Sequence, residues 1–259
     1  SDAATASYQQ AIALQPNYIK AHSNLGNALQ ELGRLEEAEE SYQQAIALQP
    51  DFVEAHSNLG NTLKELGRLD EAEASCRQAI ALKPDYAEAH YNLGVTLKEL
   101  GRLDEAEASY RQAITLKPDY AEVHYNLGNT LLELGRLDEA EASYRQAITL
   151  KPGYAEARNN LGNVLKELER LDEAEASYRH AIMLKPYFAE AHNNLGNALT
   201  ELGRLDEAEA SCKQAIAIKP DFTEAHINLG IALRELGEPE HAETSYNRAI
   251  ALNSGFLEA

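Results

Sequence analysis

Histidines, cysteines and paired carboxylates are the side chains here that could act on a substrate or hold a metal, and their spacing argues against both. Six of the eight histidines, His22, His56, His90, His124, His192 and His226, are separated by 34 residues or a multiple of it. Ligands of one ion must converge to about 2 Å from it, which in-register copies on successive structural units cannot do. These histidines are expected to face the interior of a helix pair as packing residues. Cys76 and Cys212 share one register and lie four such steps apart. Stacked helices at roughly 8–10 Å each would hold them well beyond disulfide reach, so they read as small buried hydrophobes. Asp-Glu pairs such as Asp104-Glu105 recur at the predicted start of a helix, where negative charge complements the dipole. No Walker loop, G-x-G-x-x-G, H-E-x-x-H or C-x-x-C motif occurs. Neither a catalytic constellation nor a cofactor or metal is expected.

Hydrogen bonding and apolar contact are the chemistry that remains. Asn24, Asn58, Asn92, Asn126, Asn160, Asn194 and Asn228 form one row, and Asn27, Asn61, Asn129, Asn163 and Asn197 a second, three residues further on. Asn is a poor helix former, yet its amide both donates and accepts, so such rows could grip a peptide backbone irrespective of sequence. The alternative is that they pack against, or hydrogen-bond to, the neighbouring repeat. Beside them, Tyr91, Val95, Tyr125 and Leu132 would form an apolar patch of the kind that anchors interfaces, or else be scattered surface hydrophobes.

Positioning these residues falls to a repeat. The tripeptide at Asn24-Leu25-Gly26 returns at a constant step of 34 up to Asn228-Leu229-Gly230. The expected organisation is a truncated second helix over 1–18, then seven units: 19–52, 53–86, 87–120, 121–154, 155–188, 189–222 and 223–256. Residues 257–259 would begin another unit, so the chain reads as an excised fragment. Each unit carries two helical patterns. In 87–120, Ala89, Leu93, Gly94, Leu97 and Leu100 share one face, and Ala106, Tyr110, Ala113, Ile114 and Leu116 share another. Gly101 separates the two and Pro118 ends the second. Counting from the first residue of each unit, positions 3, 7, 8, 11 and 14 are expected to face the core. The exposed stripe would then comprise positions 2, 5, 6, 9, 12 and 13. Position 5 changes along the chain, from Ser23 and Ser57 to Tyr91 and Tyr125, Asn159 and Asn193, and Ile227.

Leu, Gly, Ala, Tyr, Ala and Pro at positions 7, 8, 20, 24, 27 and 32 resemble the tetratricopeptide repeat. The match spans essentially the whole chain; His in place of the usual Trp at position 4 and Leu in place of Tyr at position 11 are its departures. The resemblance implies an all-α, right-handed superhelical solenoid of antiparallel helix pairs, with first helices lining a concave groove that receives peptide segments. The Asn-Leu-Gly-Asn and Leu-Lys-Pro-Asp phrases are further similar to the repeat arm of O-GlcNAc transferase-like proteins, which implies a peptide-gripping role for the asparagine rows.

With 42 acidic against 23 basic side chains, the net charge of −19 argues against nucleic acid or an anionic membrane as partner and favours a neutral or basic peptide. No apolar run approaches a membrane span, and low cysteine usage fits a reducing, cytoplasmic setting. The expected function is a non-catalytic protein-interaction scaffold, or alternatively the substrate-recognition arm of a larger enzyme such as an O-GlcNAc transferase-like glycosyltransferase. End-to-end self-association through uncovered terminal helices is a further expectation.

Overall fold

In the computed structural model, which describes residues 2–254, the chain is all-α. The expected beginning of a further repeat at 257–259 lies outside the described residues. The helices fall into two compact units. The first, residues 1–134, holds α1 (Asp2–Leu14), α2 (Ile19–Glu31), α3 (Leu35–Leu48), α4 (Val53–Glu65), α5 (Leu69–Leu82), α6 (Ala87–Glu99), α7 (Leu103–Leu116) and α8 (Ala121–Glu133). The second, from residue 135 to the last described residue, 254, holds α9 (Leu137–Leu150), α10 (Ala155–Glu167), α11 (Leu171–Leu184), α12 (Ala189–Glu201), α13 (Leu205–Ile218), α14 (Thr223–Glu235) and α15 (Pro239–Ser254). Within each unit the even-numbered helices are the first helices of repeats and the odd-numbered ones the second. Inside each unit, helices adjacent in sequence pack on one another, and successive first helices also touch.

The turn inside each helix pair follows from one residue. After α6 the chain closes a Schellman arrangement: Arg102 N–H donates to the Leu97 carbonyl and Gly101 N–H to that of Lys98, both at 2.9 Å. This requires a left-handed residue, and Gly101 has φ +74°. One repeat breaks the rule, because Glu169 takes this position with φ 59° and makes the same two hydrogen bonds.

Small residues let the paired helices approach. Ala38, Ala72, Ala106, Ala140, Ala174 and Ala208 are completely buried, and Tyr42, Tyr110 and Tyr178 lie with them. The tyrosine ring lies against the position-8 glycine of the partner helix: a Cβ on Gly94 would stand 2.6 Å from Tyr110 Cε1, and one on Gly162 2.5 Å from Tyr178 Cε1. Two repeats carry Cys76 and Cys212 in this slot, both completely buried, and burial pushes each thiol up to about 12. Such thiols stay protonated and unreactive near neutrality.

Two ladders tie one repeat to the next. The position-4 histidine hydrogen-bonds to the proline carbonyl of the preceding inter-repeat loop: His22 to Pro16, His56 to Pro50, His90 to Pro84, His124 to Pro118, His192 to Pro186 and His226 to Pro220, at 2.8 to 3.1 Å. A carbonyl only accepts, so Nε2 carries the proton and donates. These contacts fasten the start of first helices such as α6, whose N-cap residue Tyr86 makes no side-chain cap. In the second ladder the arginine before a second helix spans two glutamates. Arg102 pairs with Glu105 of its own helix at 2.6 Å and with Glu73 of the preceding repeat at 2.6 Å, and Arg68, Arg170 and Arg204 repeat the pattern. Partial burial pushes the Glu73 carboxyl up, but Arg77 and Arg102 together outweigh it and hold it below the usual carboxylate range.

Candidate functional site

The asparagine rows lie along the stacked first helices, and the structure shows where their amides are directed. Asn92 Nδ2 donates to the Ser57 hydroxyl at 3.1 Å, Asn126 Nδ2 to the Tyr91 hydroxyl at 3.0 Å, Asn194 Nδ2 to Asn159 Oδ1 at 3.0 Å and Asn228 Nδ2 to Asn193 Oδ1 at 2.9 Å. In each case position 6 of one repeat reaches position 5 of the repeat before it. Asn58 and Asn194 also donate to the position-9 oxygens of Asn27 and Asn163, both at 3.0 Å. Asn24 is exposed, and Asn160 has a partner of its own.

This geometry corrects the expectation that position 5 is exposed. Ser57 is 1% exposed, and Ser23, Asn159 and Asn193 are also buried, because the next first helix covers them. It also gives the variation a physical reason: Ser57, Tyr91, Asn159 and Asn193 differ in size, but each offers an oxygen to the asparagine above. Ile227 offers none and is 41% exposed.

The four apolar residues are all half-buried. Tyr91 serves the stack: its ring lies 5.2 Å from that of Tyr120 and 6.2 Å from that of Tyr110, and its hydroxyl accepts from Asn126. Val95 stands at position 9 of α6, beside that seam. Tyr125 makes further contacts of its own, and Leu132 is the penultimate residue of α8.

A link between positions 9 and 24 escaped the sequence reading. Tyr42 donates to Asn27 Oδ1 at 2.7 Å and Tyr178 to Asn163 Oδ1 at 2.9 Å. Where one member is replaced, the other is stranded in two repeats. Opposite Val95 the Tyr110 hydroxyl is buried without a partner, and in the repeat that carries Cys212 the same is true of Asn197 Oδ1. Asn61, in the other cysteine repeat, turns its amide to Glu65 at 2.9 Å instead. The signal was present in the sequence as the joint pattern of the two positions.

Among the described residues no group of three or more histidines, cysteines and acids could hold a metal ion, and no helix is long and apolar enough to cross a membrane.

Residues 1–194 match the family model of the cilia and flagella-associated protein 70 C-terminal domain, and residues 189–222 and 223–256 each match the tetratricopeptide repeat model. The chain belongs to the tetratricopeptide repeat (TPR) family. No curated protein matches it significantly. Solved TPR-type structures are similar to it. One is YrrB, described as a TPR protein with an unusual peptide-binding site, at 25% identity and TM-score 0.62, covering 72% of this chain and 96% of that one. PilF of Pseudomonas aeruginosa, at 20% identity and TM-score 0.73, covers 80% and 94%, and shares the fold. The Cut9-Hcn1 hetero-tetramer of the APC/C, at 18% identity and TM-score 0.72, covers 96% of this chain and 49% of the other. The TPR arrangement accounts for the all-α repeat fold and is that of an interaction scaffold.

Proposed function

We propose that the first-helix face is a ligand-binding groove for extended peptide segments of a partner protein, selecting neutral or basic segments over acidic ones. The observation that carries this is the direction of the asparagine amides. Each NH2 group commits at least one N–H to the preceding helix, so Asn58, Asn126 and Asn228 keep the carbonyl oxygen and one N–H for a ligand, and Asn92, which donates twice to Ser57, keeps the carbonyl oxygen. Glutamate stands at position 13 of every first helix beside this row, and the chain carries a net charge of −19. Seven position-13 glutamates outnumber the four position-12 cations of this face, Lys64, Lys98, Lys166 and Arg234, so it suits ligands that bring donors: backbone N–H groups and cationic side chains. The peptide-binding description of YrrB supports the class of ligand.

The test is a screen of random peptides against the whole chain, with the contact surface of each binder mapped by amide chemical shifts. Binders should carry net positive charge, weaken as salt is raised, and shift residues of the first helices. Acidic peptides binding equally well, or shifts confined to the second helices, would refute the reading. A second reading, the recognition arm of a larger O-GlcNAc transferase-like enzyme, rests on the Asn-Leu-Gly-Asn phrase and would use the same face; a glycosyltransferase domain in the full open reading frame would decide it.

A further inference from the structure

Three pairs of first helices, α2 with α4, α6 with α8 and α10 with α12, share a contact near their C-terminal ends, in which position 12 of one reaches the position-13 glutamate of the next. Gln30 Nε2 donates to Glu65 at 3.0 Å, Lys98 Nζ lies 2.5 Å from Glu133, and Lys166 Nζ lies 3.3 Å from Glu201. It is not made between α4 and α6, where Lys64 is present to make it, nor between α12 and α14, where no side chain at position 12 can. Position 12 is Thr200, whose hydroxyl donates back to the Gly196 carbonyl at 3.0 Å and whose side chain is too short to cross. Glu235, which occupies the receiving position, has no cationic partner among the described residues. The same repeat carries Cys212 where a tyrosine hydroxyl would otherwise reach position 9, so Asn197 Oδ1 is left buried without a donor. A cleft of roughly 230 Å³ lies here, lined by Asn197, Thr200, Glu201, Asn228, Ile231 and Glu235. That is several times the roughly 30 Å³ share of one liquid water.

We propose that this cleft receives a lysine side chain from a bound segment, which completes in trans the contact that Lys98 and Lys166 make within the chain. Ile231, at a position where five other repeats carry asparagine, supplies an apolar wall for the methylene stem. The Glu235 carboxylate meets the ammonium group, and Asn197 contributes the acceptor left over by the loss of the tyrosine. Lysine fits better than arginine because the molecule's own occupants of the equivalent place are lysines, whose compact ammonium follows a straight stem. Lys166 partly satisfies Glu201, which leaves Glu235 as the principal anion. The proposal rests on the first-helix face being the ligand face.

The test is a titration of the 15N-labelled whole chain with Nα-acetyl-lysine methylamide, using the norleucine and glutamate analogues as controls. The lysine compound should produce saturable shifts at the Asn197 and Asn228 side-chain amides and at the backbone of Ile231 and Glu235. Norleucine, which has the stem without the charge, should bind about tenfold more weakly or worse, as loss of a charged hydrogen bond requires. Thr200→Lys fills the cleft from within and should weaken binding about tenfold while the thermal melt stays at or above that of the parent; Glu235→Gln should weaken it similarly. Equal binding of norleucine, or binding unchanged in Thr200→Lys, would overturn the proposal. Peptides that occupy the first helices of other repeats while the lysine probe leaves α12 and α14 unshifted would remove the lysine cleft and leave the groove standing. Shifts by the lysine probe with no peptide binding elsewhere would keep the cleft and remove the groove.

Discussion

Replacing Gly94 by alanine should destabilise the protein, although alanine is the better helix former. Glycine in a helix interior costs about 1 kcal/mol relative to alanine, so propensity alone predicts a gain of that size. The structure opposes it. A Cβ at residue 94 would lie 2.6 Å from Tyr110 Cε1 and 2.7 Å from Cδ1, where carbon contacts prefer about 3.5–4.0 Å. Tyr110 has no exposed surface, so its ring cannot swing aside. Overpacking of this kind costs about 1–3 kcal/mol. The clash is close, its partner is confined, and α6 and α7 would have to separate along their contact. We expect the upper part of that range, and a net loss of about 1–2 kcal/mol after the propensity gain. Urea unfolding followed by circular dichroism measures it, with the slope checked because repeat arrays can unfold in segments. Tyr110→Ala provides the control: without the ring, Gly94→Ala should become neutral or stabilising, with a coupling of about 2 kcal/mol. A raised midpoint for Gly94→Ala alone, or the same loss with and without the ring, would refute the steric argument.

Glu169→Gly should stabilise the chain by about 0.5–1 kcal/mol, the relief of a left-handed residue less the added freedom of glycine in the unfolded chain; a thermal melt checks it. Tyr178→Phe should cost about 1 kcal/mol because it breaks the bond to Asn163, whereas Tyr110→Phe should be neutral or stabilising because that hydroxyl is already stranded; paired urea titrations compare them. Acid should loosen the joints between repeats. Glu175, like Glu73, is pushed up by partial burial but held lower overall by two arginines, so its contribution is full at neutral pH and is lost as pH falls through its depressed folded pKa, below the ordinary value of about 4.3. A stability profile that is flat from pH 6 to pH 2, or flat to the same degree after Arg102→Ala and Arg204→Ala, would contradict this.

Much of the fold was legible because the repeat states it seven times over. Gly101 marks a left-handed turn, and the register of Leu93, Gly94, Ala106 and Tyr110 marks two faces in contact, so helix pairs follow from spacing alone. The seam between neighbouring repeats was not legible in the same way. A helical-wheel argument treats the side of a first helix away from its partner as solvent, whereas in a stacked array the next first helix occupies part of that side. Position 5 was therefore expected to be exposed, whereas Ser23, Ser57, Asn159 and Asn193 are buried and Tyr91 and Tyr125 half-buried. The arginine ladder was missed for a similar reason: Arg102 reads as a cap beside Asp104-Glu105, and its reach to Glu73 crosses a repeat boundary that local patterning does not see.

The same seam separates structural from ligand-facing asparagines better than constancy does. A residue present in every copy could be maintained by stacking, by a repeated ligand contact, or by both, and position 6 shows stacking directly through its donated amides. Information about a particular ligand must instead lie where one copy departs from the rest without an internal replacement. Val95 and Cys212 each strand a partner, and Thr200 leaves Glu235 without one. The Val95 departure leaves a hydroxyl buried behind Tyr91, where burial raises the titration of Tyr110 far above its ordinary value. Asn197, stranded by Cys212, and Thr200 lie on adjacent turns of α12 and line the same cleft. Two losses that strand an acceptor and an anion side by side make a stronger claim on an external cation than either does alone.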